Sequence, residues 1–116
     1  MLEKTIQAKI IKFLKQKNHF CYKHLATSVN GIPDIMCIIH GIPVFIEVKR
    51  PGGRATELQE LKIAEIVENN GVAFVVHSYE AFLDKYNEIK LFFEMHGDKP
   101  AYIYLREFLN KVSISG

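Results

Sequence analysis

Apolar residues recur along the chain in two different periods, and the alternation of these periods predicts a mixed α and β domain. Residues 2–17 place apolar side chains three and four positions apart with lysines between them, which predicts an amphipathic helix. Residues 19–26, 34–40 and 44–49 are short apolar runs rich in β-branched and aromatic side chains, which is typical of strands. The first half of the chain is therefore expected to form one helix followed by three strands.

The connection between the second and third predicted strands, residues 41–43, is too short for a crossover, so these strands should form an antiparallel hairpin. Pairing residue 40 with residue 43 puts Asp34 opposite Lys49. Because side chains alternate along a strand, Glu47 and Lys49 share a face, and Asp34 joins that face diagonally to Glu47. Three charged side chains are thus expected together at one end of an otherwise apolar hairpin.

The second half of the chain alternates in the same way. A second helix is expected over residues 57–69, ending before Gly71, and a fourth strand over residues 72–77. A third helix is expected from residue 78 to about residue 94, whereas residues 101–114 are ambiguous between strand and helix. No linker or repeat interrupts the sequence, so residues 1–116 are expected to form a single domain in which helices flank a mixed sheet.

The charge of the chain is unevenly distributed. Residues 1–54 contain nine Lys and Arg against three Asp and Glu, whereas residues 55–116 contain six against ten. A basic region whose few acids cluster favours a polyanion as partner, although solvated lysines on a helix face give the same pattern. No apolar run approaches the length of a membrane helix and no secretory signal is recognised, so we expect a cytoplasmic protein without membrane association.

The three clustered charges have two interpretations. Carboxylates at the predicted separation can meet on one divalent ion, and hard oxygen ligands favour Mg²⁺ or Mn²⁺ over zinc, with Lys49 beside the ion. The alternative is a salt bridge between Asp34 and Lys49, with Glu47 half exposed at the end of the sheet.

These residues resemble the motifs of the VRR-NUC (virus-type replication-repair nuclease) family within the PD-(D/E)XK nuclease superfamily. The resemblance covers about residues 3–76, leaves residues 78–116 unassigned, and implies a restriction-endonuclease-like core: a helix, a three-stranded antiparallel meander, a helix and a fourth strand, here with a further C-terminal helix. The matching positions are Gly31, Pro33, Asp34, Glu47, Val48, Lys49, Pro51, Arg54 and Gln59, together with Glu3 on the first helix.

The resemblance also implies roles for individual residues. Asp34, Glu47 and the main-chain carbonyl of Val48 would bind Mg²⁺ or Mn²⁺. Lys49 would be the catalytic lysine, and Glu3 would join through water or a second ion, unless it is only a first-turn acid favoured by the helix dipole.

Gln59 has two interpretations, since it would position water or phosphate, whereas the sequence TELQ is also a capping-box pattern with Thr56 as N-cap. The basic residues Arg50, Arg54, Lys9 and Lys12 are the candidate DNA contacts.

The expected function is metal-dependent endonucleolytic cleavage of DNA. Small stand-alone members of this family resemble Holliday-junction resolvases, which implies branched DNA as substrate and a homodimer. The apolar residues 81–93 of the third helix are a candidate interface, with ordinary core packing as the alternative. Two other functions stay open, namely a non-catalytic nucleic-acid-binding module with a nuclease-like fold and an RNA-directed nuclease.

Overall fold

The computed structural model describes residues 2–25, 29–96 and 101–115, which form four helices and one four-stranded sheet. The first half has the expected order of one helix and three strands: α1 (Glu3–Gln16), β1 (Phe20–Lys23), β2 (Ile35–Ile39) and β3 (Ile42–Val48). The second half contains α2 (Glu57–Glu68), β4 (Val72–Val76), α3 (Tyr79–His96) and α4 (Ala101–Ser115).

The sheet has the strand order β1-β2-β3-β4. Neighbouring strands among the first three are antiparallel, whereas β4 is parallel to β3 because the crossover through α2 returns the chain in the same direction. The predicted meander, the crossover helix and the fourth strand are therefore confirmed. Most strand ends differ from the prediction by one residue, but β1 ends at Lys23, three residues earlier than predicted, and β3 begins at Ile42, so that it includes Pro43.

The turn between β2 and β3 lies one residue earlier in the chain than predicted. Ile39 pairs with Ile42, which leaves His40 and Gly41 as a two-residue turn. Both turn residues have positive φ, 50° and 82°, as the type I′ turns that match the twist of a hairpin require. Pro43 is tolerated in the strand because the pairing of β3 with β4 begins only at Val44.

The hydrophobic core lies on one face of the sheet. α1 contributes Ile6, Ile10 and Leu14, and α3 contributes Phe82 and Tyr86. Alternate residues of β2 and β3 point into this core, which explains why their neighbours in sequence point to the other face. α2 lies on that other face beside β4 and has no buried residue, so this face of the sheet is far more open.

The C-terminal segment that was ambiguous between strand and helix is α4. In α3, Phe82 and Tyr86 belong to the core, whereas Leu91, Phe92 and Met95 near its end are exposed, so core packing accounts for only the first part of this helix. Within the described residues, no helix is both long and apolar enough to cross a membrane.

Candidate functional site

Asp34 and Glu47 face each other across the open end of the hairpin. Ile35 pairs with Ile46, so one further step of the register places Asp34 directly opposite Glu47. The predicted register, with Asp34 opposite Lys49, is therefore wrong by two residues, because the two-residue turn lies one residue earlier in the chain than predicted. A shift of two preserves the alternation of faces, which is why the predicted shared face of the two acids is nevertheless found.

Asp34 is held by the main chain of both neighbouring strands. Its Oδ2 accepts a hydrogen bond of 2.8 Å from the backbone N–H of Val48, and its carbonyl oxygen accepts one of 2.8 Å from the N–H of His24. The second bond extends the ladder between β1 and β2 by one position beyond Lys23. Asp34 thus has a fixed orientation toward Glu47 rather than that of a free loop residue.

Glu47 is the buried acid of the site, with only 1 % of its surface exposed. Its Oε2 accepts a hydrogen bond of 3.3 Å from Nε2 of Gln59 and lies 3.7 Å from Nζ of Lys49. Its Oε1 is buried without a hydrogen-bond partner. Lys49 therefore pairs with Glu47, and the alternative interpretation of the sequence, in which it pairs with Asp34, does not describe the site.

The electrostatics of Glu47 follow from this burial. Desolvation raises the pKa of its carboxyl to about 8, and the adjacent Asp34 contributes to the rise. The charge of Lys49 acts in the opposite direction, and Glu3 adds a smaller rise in the pKa of Glu47. Without a cation between them, the two facing carboxyl groups therefore hold a proton near neutral pH.

Gln59 forms the predicted capping box and also contacts the buried acid. Its backbone N–H donates to Oγ1 of Thr56 at 3.2 Å and its Oε1 accepts from the N–H of Thr56 at 2.8 Å, which completes a capping box at the start of α2. Its remaining Nε2 donates to Glu47. The cap fixes the side chain, and so α2 presents an amide donor to the buried acid.

Glu3 lies at the rim of the site. It is in the first turn of α1, and its Oε1 accepts a hydrogen bond of 3.4 Å from the backbone N–H of Arg50, just beyond the end of β3. Arg50 and Arg54 are exposed on the loop between β3 and α2.

The two lysines of α1 that were predicted to contact DNA are not brought to the acids. Nζ of Lys9 lies 5.9 Å from the ring centroid of Tyr79, on the core side of the sheet, and Lys12 is exposed on the same helix. Both remain predicted DNA contacts, but their positions do not connect them to the candidate site.

His24 is the residue near the site that sequence reasoning did not assign to it. The register places His24, Asp34 and Glu47 in one row across β1, β2 and β3. Nε2 of His24 is buried without a partner, and its side chain borders a cavity of about 220 Å³ that also reaches Asp34 and Gln59. The sequence could have placed His24 on the face of Asp34 only if the register between β1 and β2 had been known, because the register decides which alternate side chains of β1 share that face.

Gly31 positions the loop that leads to Asp34. Its φ is 79°, and a Cβ at this position would lie 2.7 Å from the carbonyl oxygen of Leu58 in α2. Only glycine satisfies both conditions, since other residues rarely adopt this φ and a side chain would displace the helix that carries Gln59.

Replacing Gly31 with alanine should therefore destabilise the protein more than replacing Gly52 in the same way. Gly52 has nearly the same φ, 81°, but a Cβ at this position would meet no atom within 4 Å. Backbone strain alone costs about 1–2 kcal/mol, and the contact with Leu58 should add about the same amount to the loss for Gly31→Ala. Urea unfolding of both variants measures the difference, and equal losses would contradict the close packing of this loop.

The pair of acids has the chemistry of a site for a divalent cation. Among the described residues, no group of three or more His, Cys, Asp or Glu side chains is arranged to hold a metal. Mg²⁺ does not need such a group, because it is commonly bound through one or two carboxylates and keeps several waters. Asp34 and Glu47 provide two carboxylates, and the unpartnered buried Oε1 of Glu47 is an oxygen that such an ion would satisfy. The donor set therefore fits Mg²⁺ or Mn²⁺.

Comparison with known proteins agrees with the architecture. No protein-family model and no curated protein matches the chain. A solved structure described as a VRR_NUC domain superposes with a TM-score of 0.65 over 74% of this chain and 94% of its own, at 23% sequence identity. The chain therefore has the fold of a VRR_NUC domain, as the resemblance of its motifs implied.

Proposed function

We propose that this protein is a metal-dependent endonuclease that hydrolyses phosphodiester bonds of DNA. The observation that carries the proposal is the pairing of Asp34 with the buried Glu47, whose Oε1 has no partner and whose Oε2 lies beside Lys49. A buried carboxyl oxygen without a partner costs stability, so its presence beside a second acid favours a bound cation. The likeness of the fold to a VRR_NUC domain supports the same conclusion.

Each residue of the site has its own role in this proposal. Asp34 and Glu47 would hold Mg²⁺ or Mn²⁺, with the carbonyl of Val48 as a further ligand and Glu3 reaching the site through water. A bound divalent cation supplies a water of lowered pKa and offsets negative charge on the phosphate. Gln59 keeps Glu47 oriented through the bond from its Nε2.

Lys49 is the group that acts on the substrate. Its ammonium lies 3.7 Å from Glu47 and is mostly buried, which places a positive charge at the edge of the acid pair. There it would orient the attacking water or stabilise charge on a phosphate oxygen, since an ammonium in a partly desolvated site interacts strongly with developing negative charge. Arg50 and Arg54 extend the positive surface beyond the acids, where they would contact the DNA backbone.

The proposal includes branched DNA, such as a four-way junction, as substrate and a homodimer as the active form. A twofold dimer places two equivalent sites on one substrate, as cleavage of two symmetric strands requires. The candidate interface is formed by the exposed apolar residues near the end of α3 and along α4, since large exposed apolar side chains often mark a protein interaction site. Its described members are Leu91, Phe92, Phe93, Met95, Tyr104, Leu105, Phe108 and Leu109.

Metal-dependent cleavage tests the proposed function directly. The purified protein should cut DNA with Mg²⁺ or Mn²⁺ and lose this activity in EDTA. Because Asp34→Asn removes a charged ligand, it should lower the rate by at least about 100-fold. The exposed Asp84 of α3 provides the matched control, since Asp84→Asn should cleave as the wild type does.

The substrates should include a four-way junction, a flap, linear duplex and single strands of DNA and RNA, with products mapped to the nucleotide. Cleavage confined to RNA would favour the RNA-directed nuclease. Absence of metal-dependent cleavage on every substrate, or full activity of Asp34→Asn, would overturn the proposal.

A further inference from the structure

The sheet face that carries the two acids continues as an open apolar surface. The register of β1, β2 and β3 arranges its side chains in rows, and the row of His24, Asp34 and Glu47 lies at one end. Two further rows follow on the same face, and we call the six residues of these two rows the platform. They are Phe20, Tyr22, Met36, Ile38, Pro43 and Phe45.

The edge of the platform on β1 is a line of aromatic rings. The ring centroids of Phe20 and Tyr22 are 5.9 Å apart, and those of Tyr22 and His24 are 4.9 Å apart. Phe20 is 60% exposed and Tyr22 is 44% exposed. Large exposed aromatic side chains in a contiguous patch usually mark a binding surface, and this line leads from open solvent to the residue beside Asp34.

The other side of β1 is positively charged. An open cleft of about 400 Å³ between α1 and β1 is lined by Lys4, Lys15 and Lys23. None of these three lysines forms a salt bridge within the described part of the chain. An anion lying along β1 would therefore meet the ammonium groups of these three lysines.

We propose that β1 binds an unpaired stretch of a nucleic-acid strand, with bases stacked on Phe20 and Tyr22 and phosphates near the lysines of the cleft. Bases stack on exposed aromatic side chains irrespective of sequence, and a neighbouring positive groove follows the backbone. A duplex does not gain these contacts, because its base faces are stacked on each other and the platform offers no cation to its phosphates.

This inference rests on the proposed function and makes it more specific. The rows of the platform lead to the row that contains Asp34 and Glu47, so an unpaired strand bound along β1 would extend to the two acids. Among branched substrates, one that carries an unpaired stretch beside a duplex, such as a flap, should then be cut in preference to a fully paired four-way junction or a linear duplex, at a position close to the change from paired to unpaired.

Binding measured in EDTA tests the inference without cleavage. Fluorescence anisotropy would compare a labelled thymidine oligonucleotide with a hairpin duplex of equal charge. We expect tighter binding of the single strand by the wild type and a loss of about 5–150-fold for Tyr22→Ala, which removes one stacking ring. Tyr22→Phe should retain most of the affinity, and Leu61→Ala, which alters an exposed apolar residue of α2, should have no effect.

Two further variants keep the test decisive. Phe20→Ala should reproduce the loss if Tyr22→Ala is poorly folded, as urea unfolding would reveal. Lys23→Ala should make the plot of log affinity against log salt concentration less steep, by about the 0.7 that one phosphate contact contributes for a single strand.

The inference is overturned if Tyr22→Ala and Phe20→Ala bind the oligonucleotide as tightly as the wild type, or if the duplex binds equally well. It is also overturned if the two alanine variants convert a dimer to a monomer in sedimentation without loss of binding, because the platform would then be covered by a second copy. Failure of the proposed function has a different signature, namely absence of cleavage with Mg²⁺ whatever the anisotropy shows.

Discussion

Replacement of Lys49 with methionine should lower the rate of metal-dependent DNA cleavage by about 10²–10⁴-fold. Methionine keeps a long flexible side chain but removes the ammonium that lies 3.7 Å from Oε2 of Glu47. Loss of one positioned charge or proton-transfer group typically costs this much, because the group acts on charge that develops only in the transition state. Single-turnover cleavage with Mg²⁺ in excess would measure the chemical step separately from DNA binding.

The matched control for this experiment is Lys62→Met. Lys62 lies in α2 and pairs with Glu65 at 2.6 Å, so it resembles Lys49 in charge and in having an acidic neighbour but lies away from the acid pair. It should cleave at nearly the wild-type rate. If Lys49→Met cleaves within a few-fold of that control, Lys49 has no catalytic role and its contact with Glu47 is structural.

Much of the candidate site could be predicted because an error of two residues in strand register does not change which side chains share a face. The predicted hairpin register was wrong by two residues, yet Asp34 and Glu47 were correctly placed on one face, since a shift of two leaves every side chain on its side of the sheet. The capping box of Gln59 was readable from four adjacent residues, because capping depends on local spacing alone. The order of the helices and strands was likewise predictable from local sequence, because the spacing of apolar residues differs between a helix and a strand.

Features that depend on packing between elements were not predictable. The side of α1 that faces β1 is decided by how the helix lies on the sheet, so the sequence did not show that Lys4 and Lys15, rather than Lys9 and Lys12, line the cleft beside β1. The two-residue turn required His40 to adopt a φ of 50°, which is uncommon for residues other than glycine. The burial of Glu47 likewise depends on α2, which approaches from another part of the sequence.

Replacement of Glu47 with glutamine should make the metal-free protein more stable at pH 8, by about 2–4 kcal/mol, although it should abolish cleavage. Burial, together with Asp34, raises the pKa of this carboxyl from 4.5 to about 8 in the folded protein. Between these values the folded state retains a proton that the unfolded state has lost, so the stability of the wild type falls as the pH rises through this window. Each pKa unit corresponds to about 1.4 kcal/mol, and glutamine, which does not titrate, avoids this loss.

Urea unfolding in EDTA at pH 4.5 and pH 8 would measure the effect. The two proteins should differ least at pH 4.5, where Glu47 is largely protonated in the folded state and partly protonated in the unfolded state. Glu68→Gln, which alters an exposed acid of α2, should retain the pH dependence of the wild type. Addition of Mg²⁺ at pH 8 should stabilise the wild type but not Glu47→Gln, because the ion replaces the proton between Asp34 and Glu47 only when both are carboxylates. Equal pH dependence in the wild type and Glu47→Gln would show that Glu47 is ionised without a cation, and the buried acid would then no longer argue for a metal site.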